Sequence, residues 1–269
     1  MLPRPAEKRT RTRTKRNSGP HQSIQIIPLI GLPEIAPGND LSRQIVDARK
    51  KQGLVIREGD IFVVAHKIVS KSEGRIVSLD SIEPSERAVQ WASQYHKDSR
   101  VIEIVFREAS RIVRMERGVI VAQTRHGFVC ANAGVDLSNT LGGTAILLPE
   151  DPDRSARTLQ GQLSKAFGVP VAVIISDTFG RPWREGLVNV ALGVAGVAPL
   201  FDYRGKLDGS GKKLQATVIA VADEIASAAE LVMGKADRVP VVVVQGLRIA
   251  EHPGSGRDLI RSPETDLFR

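Results

Sequence analysis

The stretch IFVVAHKIVSKSEGR, residues 61–75, indicates how this 269-residue chain is organised. Its first five residues are apolar and follow Asp60, a pattern typical of a short strand that a sheet buries on both faces. The next ten residues become polar and basic around Gly74. In α/β proteins ligands bind where strands end, because polar side chains can converge over the edge of the sheet. The stretch therefore predicts either a phosphate-binding segment or a basic surface loop.

Apolar runs cut by Gly and Pro flank this stretch and predict alternating strands and helices. Strands are predicted over residues 24–30, 61–65, 101–106, 118–124, 128–131, 169–176 and 240–244. Helices are predicted over residues 41–51, 155–167 and 223–233, and in a segment with Pro84 in its first turn and a buried side formed by Ala88, Val89, Trp91, Ala92 and Tyr95. Residues 125–127 predict a hairpin connection. The expected fold is α/β or α+β, a mixed β-sheet with flanking helices.

The composition is that of an ordinary globular protein. The chain is 42% hydrophobic and 25% charged, enough apolar material for one large domain or two small ones. No apolar run approaches the roughly 20 residues that cross a bilayer, and the N-terminus is charged where a signal peptide is apolar. We expect a cytoplasmic protein without a membrane partner.

The net charge of +8 lies mostly at one end of the chain. Residues 1–20 carry seven basic side chains and one acidic side chain, which leaves the rest of the chain nearly balanced. This segment has no apolar periodicity, so we predict a disordered basic tail over residues 1–20. We interpret the tail as a solubilising extension, and the alternative is nonspecific contact with nucleic acid. Residues 21–269 are predicted to form the catalytic domain, either one unit or two intertwined subdomains.

Several catalytic classes lack support in this sequence. The single cysteine, Cys130, excludes an intramolecular disulfide and a cysteine-based zinc cluster, and its apolar neighbours favour a buried structural thiol over a nucleophile. The five histidines form no HExxH pair, and there is no GxSxG motif. Zinc hydrolase and serine hydrolase chemistry are therefore not predicted.

A second segment with residues suited to binding or catalysis is CANAGVDLSN, residues 130–139. Its small residues allow close approach of a ligand to the backbone. Asp136, followed three residues later by Asn139, can serve a metal ion and a nucleotide together. The alternative is an Asx-type turn in which both side chains satisfy local backbone groups.

A third segment is IISDTFGRPWREG, residues 174–186. Asp177, directly after the apolar run and beside the hydroxyl of Thr178, is a favourable ligand for magnesium or manganese, which prefer hard oxygen donors. The alternative is that Asp177 caps a helix and pairs with Arg181 or Arg184. For this segment we favour the interpretation of Asp177 as a metal ligand.

Taken together and in this order, these segments resemble the family of coenzyme F420:L-glutamate ligases. The resemblance is carried by residues 67–75, 130–139, 176–186, 201–205 and 222–234. It extends from about residue 24 to residue 246 and excludes the basic tail. The ordered set of segments, more than any single motif, supports the resemblance.

The resemblance implies addition of L-glutamate to the lactyl carboxylate of the coenzyme F420 precursor. GTP is the implied cosubstrate, Mg²⁺ or Mn²⁺ the implied metal, and K⁺ a further candidate cation. A carboxylate resists nucleophilic attack, so conversion to an acyl phosphate would supply a leaving group. The family also implies a homodimer.

The implied metal ligands are Asp136, Asp177 and Thr178. The implied nucleotide contacts are Leu29, Ile30, Gly31, Leu32, Pro33, Glu34, Ser70, Lys71, Arg75, Asn139, Met233, Gly234 and Lys235. A further metal contact would fall near Lys235, where only a backbone oxygen could serve. We add Arg181 and Arg184 as catalytic candidates beside Asp177, because their charge suits an acidic substrate or an acyl phosphate.

Two other hypotheses remain open at this point. One is a related metal–nucleotide enzyme that uses another acyl acceptor or hydrolyses its substrate. The other is a nucleic-acid-binding protein that acts through its basic tail, although nucleic acid is not the expected partner.

Overall fold

The computed structural model of the protein describes residues 23–138, 142–247, 249 and 251–267. The predicted basic tail lies outside these residues. The strands are β1 (Gln25–Pro28), β2 (Ile61–Ala65), β3 (Ile76–Ser78), β4 (Ala109–Glu116), β5 (Val119–Thr124), β6 (Val129–Ala131), β7 (Thr144–Ile146), β8 (Ala172–Arg181), β9 (Arg184–Ala195), β10 (Phe201–Asp202), β11 (Val218–Ile219) and β12 (Val241–Gln245). The helices are α1 (Leu41–Gln52), α2 (His66–Ser72), α3 (Glu86–Tyr95), α4 (Ser99–Glu108), α5 (Pro152–Phe167) and α6 (Val221–Met233).

A five-stranded sheet in the order β1-β12-β2-β8-β9 forms the centre of the molecule. β2 and β8 are parallel, and the other neighbouring strands are antiparallel. Helices cover both faces of this sheet, which confirms the predicted fold class. The apolar run of β2 is explained by its central place, because a strand covered on both faces needs apolar residues at every position.

The two faces of the sheet bury separate clusters. Phe62 and Val64 of β2 pack with residues of α1, α2 and α5. Ile61 and Val63, which point the other way, pack against α6. This division follows from the alternation of side chains along a strand.

A smaller sheet, β4-β5-β6, packs with α3 and α4 around a third cluster. β5 and β6 form the predicted hairpin, whose connection is closed by a hydrogen bond from Gly127 N to Thr124 O at 3.0 Å. The short antiparallel pairs β3–β7 and β10–β11 complete the strand pairing of the described residues.

The helices over residues 41–51, 155–167 and 223–233 are confirmed with small changes at their ends. The side chain of Asp40 caps α1, and Gly53 ends it with a φ of 69°. α5 begins at Pro152, three residues earlier than predicted, because the side chain of Asp151 supplies the N-cap. The predicted strand over residues 24–30 is also confirmed, but β1 is shorter.

The prediction of a strand over residues 101–106 is wrong, because these residues lie in α4. The side chain of Asp98 accepts a hydrogen bond from Arg100 N at the start of the helix. Ile102 and Val105 are buried against α3 at the spacing of one helical face. Their β-branched side chains favoured a strand in isolation, but tertiary packing outweighs that preference.

The helix predicted after Pro84 exists, but two details of the prediction are wrong. α3 begins at Glu86 with Ser85 as its N-cap, so Pro84 precedes the helix instead of lying in its first turn. Val89 is 48% exposed, whereas Ala88 and Ala92 are buried. The buried face of this amphipathic helix is therefore narrower than the sequence indicated.

The predicted strand over residues 169–176 also has different bounds. β8 runs from Ala172 to Arg181 and forms a long hairpin with β9, a strand that the sequence analysis did not predict. Asp177 therefore lies within a strand. No helix begins there, so the interpretation of Asp177 as a helix cap is wrong.

A buried carboxylate, Asp153, attaches the C-terminal segment to the central sheet. Oδ1 accepts hydrogen bonds from Val194 N at 3.0 Å and Gly256 N at 2.6 Å, and Oδ2 accepts one from Ser255 Oγ at 2.6 Å. The backbones pack closely here, since a methyl group on Gly193 would lie 2.1 Å from Pro152 O. The Asp153 carboxylate thus joins α5, β9 and residues 255–256.

No helix of the described residues is long and apolar enough to cross a membrane.

Asp153→Ala should lower the free energy of unfolding by roughly 3 kcal/mol, because two backbone N–H groups and one hydroxyl lose a charged acceptor in a buried place. Asp153→Asn keeps one acceptor oxygen and should fall between the alanine variant and the wild type. Urea denaturation followed by circular dichroism measures both. Equal stability of the wild type and the alanine variant would contradict this role.

Candidate functional site

The candidate site lies at the edge of the central sheet where β2 ends. Ala65, the last residue of β2, pairs with Ser176 of β8, so His66 and Asp177 are the first residues beyond the parallel pairing. His66 Nε2 lies 3.2 Å from Asp177 Oδ1. This nitrogen is buried and has no hydrogen-bond partner among the described residues. The contact is therefore a close polar approach between the two side chains.

Asp177 is charged despite its burial. Burial raises the pKa of this carboxyl group, but the pKa still lies below its ordinary value. His66 and the backbone N–H of Thr178, which donates to Oδ1 at 2.7 Å, outweigh the effect of burial. Asp177 is therefore ionised at neutral pH.

Asp136 is held by a short bridge to β7. Its backbone N–H donates to Ile146 O at 3.0 Å, and its carbonyl accepts from Ile146 N at 2.8 Å. The carboxylate accepts from Ser138 N at 2.6 Å, which is the Asp136 part of the alternative Asx-type turn, and Oδ2 lies 2.7 Å from Lys67 Nζ. Burial raises the pKa of Asp136, but Lys67 and Ser138 bring it below its ordinary value.

The structure brings Asp136 and Asp177 to the same edge of the sheet. The negative charge of Asp136 acts to raise the pKa of Asp177 and so opposes the effect of His66. His66 approaches Asp177, and the next residue, Lys67, pairs with Asp136. The two residues that follow β2 thus place one basic side chain beside each carboxylate, His66 beside Asp177 and Lys67 beside Asp136.

Thr178, the third predicted metal ligand, belongs to a polar network across the hairpin. Its hydroxyl donates to Asn189 Oδ1 at 2.6 Å, and Asn189 Nδ2 donates to Glu230 Oε2 of α6 at 2.8 Å. Asn189 is buried and faces Thr178 in the β8–β9 register. The orientation of the Thr178 hydroxyl is therefore fixed by these hydrogen bonds.

The end of α6 approaches the same hydroxyl. Lys235 Nζ donates a hydrogen bond to Thr178 Oγ1 and lies 3.5 Å from Glu230 Oε1. Met233 Sδ lies 3.8 Å from Asn189 Nδ2, and Gly234 ends the helix. The predicted segment Met233, Gly234 and Lys235 is thus brought next to Thr178, with the charged end of Lys235 on the hydroxyl.

The residues predicted as a nucleotide-binding or basic surface loop form a helix instead. Ser70 and Lys71 lie in α2 and are buried. Ser70 Oγ is 3.5 Å from His66 Nδ1, and Lys71 Nζ pairs with Glu34. The helix ends at Ser72, and the chain then turns at Gly74, whose φ of 72° favours glycine. The pair between Lys71 and Glu34 joins two of the predicted nucleotide segments.

Arg75 makes structural contacts. Its Nη2 lies 2.9 Å from Glu108 Oε2 at the end of α4, and its Nε donates to Leu148 O at 3.0 Å. Both contacts are made by the Nε–Nη2 edge of the guanidinium group, so the structure shows a structural role for Arg75 that the sequence did not predict.

The first predicted nucleotide segment is buried at its start and exposed at its end. It consists of Leu29, Ile30, Gly31, Leu32, Pro33 and Glu34. Leu29 is fully buried, whereas Ile30 is 57% exposed and its N–H donates to Gln52 Oε1 at 3.1 Å. Gly31 has a φ of 79°, which favours glycine. Gly31 and Pro33 line a cavity of about 310 Å³ together with α1.

The two arginine candidates lie in the β8–β9 hairpin. Arg181 Nη2 donates to Glu185 O at 2.6 Å, and its Nε donates to Gly186 O at 3.4 Å. Arg184 is exposed at the start of β9. The hairpin backbone therefore orients Arg181. Among the described residues, Arg181 makes no contact with the carboxylates of Asp136 and Asp177. Asn139 lies outside the described residues.

Sequence reasoning left several side chains of the site without a role. These are His66, Lys67, Asn189 and Glu230. His66 and Lys67 had a usable signal, since they follow a buried apolar strand directly. Asn189 and Glu230 had none, because Asn189 meets Thr178 only through the β8–β9 register and Glu230 in turn binds Asn189.

The oxygen donors of this site fit a hard divalent cation. Asp136 and Asp177 offer carboxylates and Thr178 a hydroxyl, which are the ligand types of Mg²⁺ and Mn²⁺. Each of the three is contacted by a basic side chain, Lys67, His66 and Lys235 respectively. Within the described ranges, no group of three or more His, Cys, Asp or Glu side chains converges as a ligand set. A cation here would thus depend on two carboxylates.

Fold and site together define an α+β enzyme with an acidic, oxygen-rich centre at a sheet edge. The model of the F420-0:Gamma-glutamyl ligase family matches residues 29–246. The chain is 48% identical over 252 residues to the coenzyme F420:L-glutamate ligase of Methanopyrus kandleri, covering 92% of this chain and 98% of the relative. It is 46% identical over 249 residues to the coenzyme F420:L-glutamate ligase of Methanothermobacter thermautotrophicus, covering 91% and 99%.

The chain belongs to the F420-0:gamma-glutamyl ligase family and is a ligase. This confirms the resemblance found in the sequence. All the predicted site residues from Leu29 to Lys235 fall inside the matched range, whereas the basic tail falls outside it.

Cys130 should be inert in the folded protein. Burial, together with the negative charge of Asp177, raises the pKa of its thiol to about 12, so the thiolate is scarce at pH 8. Iodoacetamide at pH 8 should leave the native chain unmodified and add one label in urea, as read by intact mass. Rapid complete labelling of the native chain would contradict the burial of this thiol.

Proposed function

We propose that this ligase joins L-glutamate to the lactyl carboxylate of the coenzyme F420 precursor, with GTP as cosubstrate and Mg²⁺ or Mn²⁺ as metal. The convergence of Asp136 and Asp177 at one sheet edge is the observation that supports the proposal most. Family membership and the names of the relatives in two organisms support L-glutamate and the coenzyme F420 precursor as substrates.

The proposed reaction has two steps. An oxygen of the substrate carboxylate takes the γ-phosphoryl group of GTP, which leaves GDP and an acyl phosphate. The amine of L-glutamate then attacks the acyl carbon, the C–N bond forms, phosphate leaves, and the amine loses a proton. A divalent cation offsets the negative charge of the phosphates and of the transferring group.

The chain's own residues would position these groups. Asp136 and Asp177 would bind the cation, and the Thr178 hydroxyl, oriented by Asn189, would add a third oxygen. Ser70, Lys71 and the segment 29–34 would hold the nucleotide, a grouping supported by the pair between Lys71 and Glu34.

The guanidinium groups of the half-buried Arg181 and the exposed Arg184 would attract the acidic substrate. We also propose K⁺ as a further cation and a homodimer as the working form, for which light scattering is the measurement.

Asp177→Asn should lower amide formation by at least about 100-fold, because the cation loses a carboxylate that stabilises transition-state charge. The variant is nearly isosteric, so its circular dichroism should match that of the wild type. The assay contains the deazaflavin precursor, L-glutamate, GTP and Mn²⁺ and reads the glutamyl mass increase and released phosphate. Asp80→Asn, which removes an exposed carboxylate, is the matched control. Full activity of Asp177→Asn would reject the assignment.

Deleting residues 1–20 should leave ligase activity unchanged, because this segment lies outside the family match. Its charge could support nonspecific nucleic-acid binding, which a filter-binding assay at low salt would detect in the full chain and not in the truncated one. Loss of ligase activity in the truncated chain would show that the tail takes part in catalysis.

A further inference from the structure

Lys67 makes the contact that a bound cation would make. Its Nζ donates to Asp136 Oδ2 at 2.7 Å and to Ser138 Oγ at 2.5 Å, so one positive group lies between two oxygen donors. An ammonium group surrounded by oxygen atoms has the same electrostatic role as a cation bound by them. Lys67 is therefore the ion-pair partner of Asp136, the carboxylate that the proposed function assigns to the metal.

The position of Lys67 is defined by the sheet. It is the second residue after β2, and His66 before it is buried beside Asp177. Because α2 begins at His66, the two side chains leave the backbone in different directions and reach different carboxylates. The placement of Lys67 on Asp136 follows from the strand end and the helix start.

The contact is accessible enough to be exchanged. The side chains of Lys67 and Asp136 are 24% and 29% exposed, whereas His66 is 2% exposed. A partly exposed ion pair is screened by water and is weak compared with the binding of a divalent cation by a carboxylate. Lys67 can therefore leave Asp136 without unfolding of its surroundings.

We infer that Lys67 is a positioning residue that occupies the cation position at Asp136 in the metal-free protein and competes with the divalent cation for it. This inference depends on the proposed metal site. In the metal-free chain Lys67 offsets the repulsion between Asp136 and Asp177. When the cation binds, the ammonium group is displaced from Asp136.

The competition predicts a gain in metal affinity when the lysine is removed. Lys67→Met should bind Mn²⁺ about fivefold more tightly than the wild type, because binding no longer requires breaking a partly exposed ion pair. The same variant should have a lower melting temperature without metal and a larger rise on adding Mn²⁺. Binding is measured without nucleotide, by the electron paramagnetic resonance signal of free Mn²⁺.

Three controls separate this effect from a general change in structure or charge. Lys50→Met removes an exposed lysine of α1 and should leave Mn²⁺ affinity unchanged. Lys67→Arg keeps a cation and should stay close to the wild type. In the background of Asp136→Asn, Lys67→Met should give no further gain, because the contested carboxylate is absent.

The outcomes distinguish this inference from the proposed function. Unchanged or weaker Mn²⁺ binding by Lys67→Met, with clear binding by the wild type, overturns the role of Lys67 and leaves the metal site standing. A gain that persists in the Asp136→Asn background also overturns it. If neither the wild type nor Lys67→Met binds Mn²⁺, with or without GTP, the proposed metal site fails.

Discussion

Two carboxylates that share a partly buried edge must be held ionised against both burial and their mutual repulsion. Asp136 and Asp177 meet this constraint through basic and backbone N–H groups supplied by nearby segments of the chain. The parallel pairing of β2 and β8 fixes the geometry, because it places His66 beside Asp177 and Lys67 beside Asp136. The rest of the site extends from this centre.

The surrounding elements give the site its rigidity. β9 pairs with nine residues of β8 and orients Thr178 through Asn189, while α6 fixes Asn189 from the other side through Glu230. On the opposite face, Lys71 of α2 joins the segment after β1 through Glu34. A site built on strands and helices in this way holds its side chains more firmly than one built on loops.

The sequence predicted those elements whose local signals agree with their packing. The apolar run of β2 and the glycines that end α1 and α5 are such signals. α4 was mistaken for a strand, since packing against α3 decides its structure and β-branched residues obscure its helical period. β9 was missed because its exposed first residues show no alternation and its register depends on β8.

For the site, single residues left alternatives that only distant contacts could decide. Asp136 makes the local turn that its sequence predicts and also the pair with Lys67, which no spacing in the chain reveals. The strand through Asp177 excludes the cap that a following helix would need. Family resemblance, carried by five ordered segments, pointed to these two residues together, and the fold places a basic side chain from the end of β2 on each of them.

The shared cation site is tested most directly by a crystal of the protein with Mn²⁺ and GDP, measured at the manganese absorption edge. We expect one anomalous peak at bonding distance from carboxylate oxygens of both Asp136 and Asp177. A peak that contacts only one of them, or that lies elsewhere in the molecule, would contradict the shared cation site.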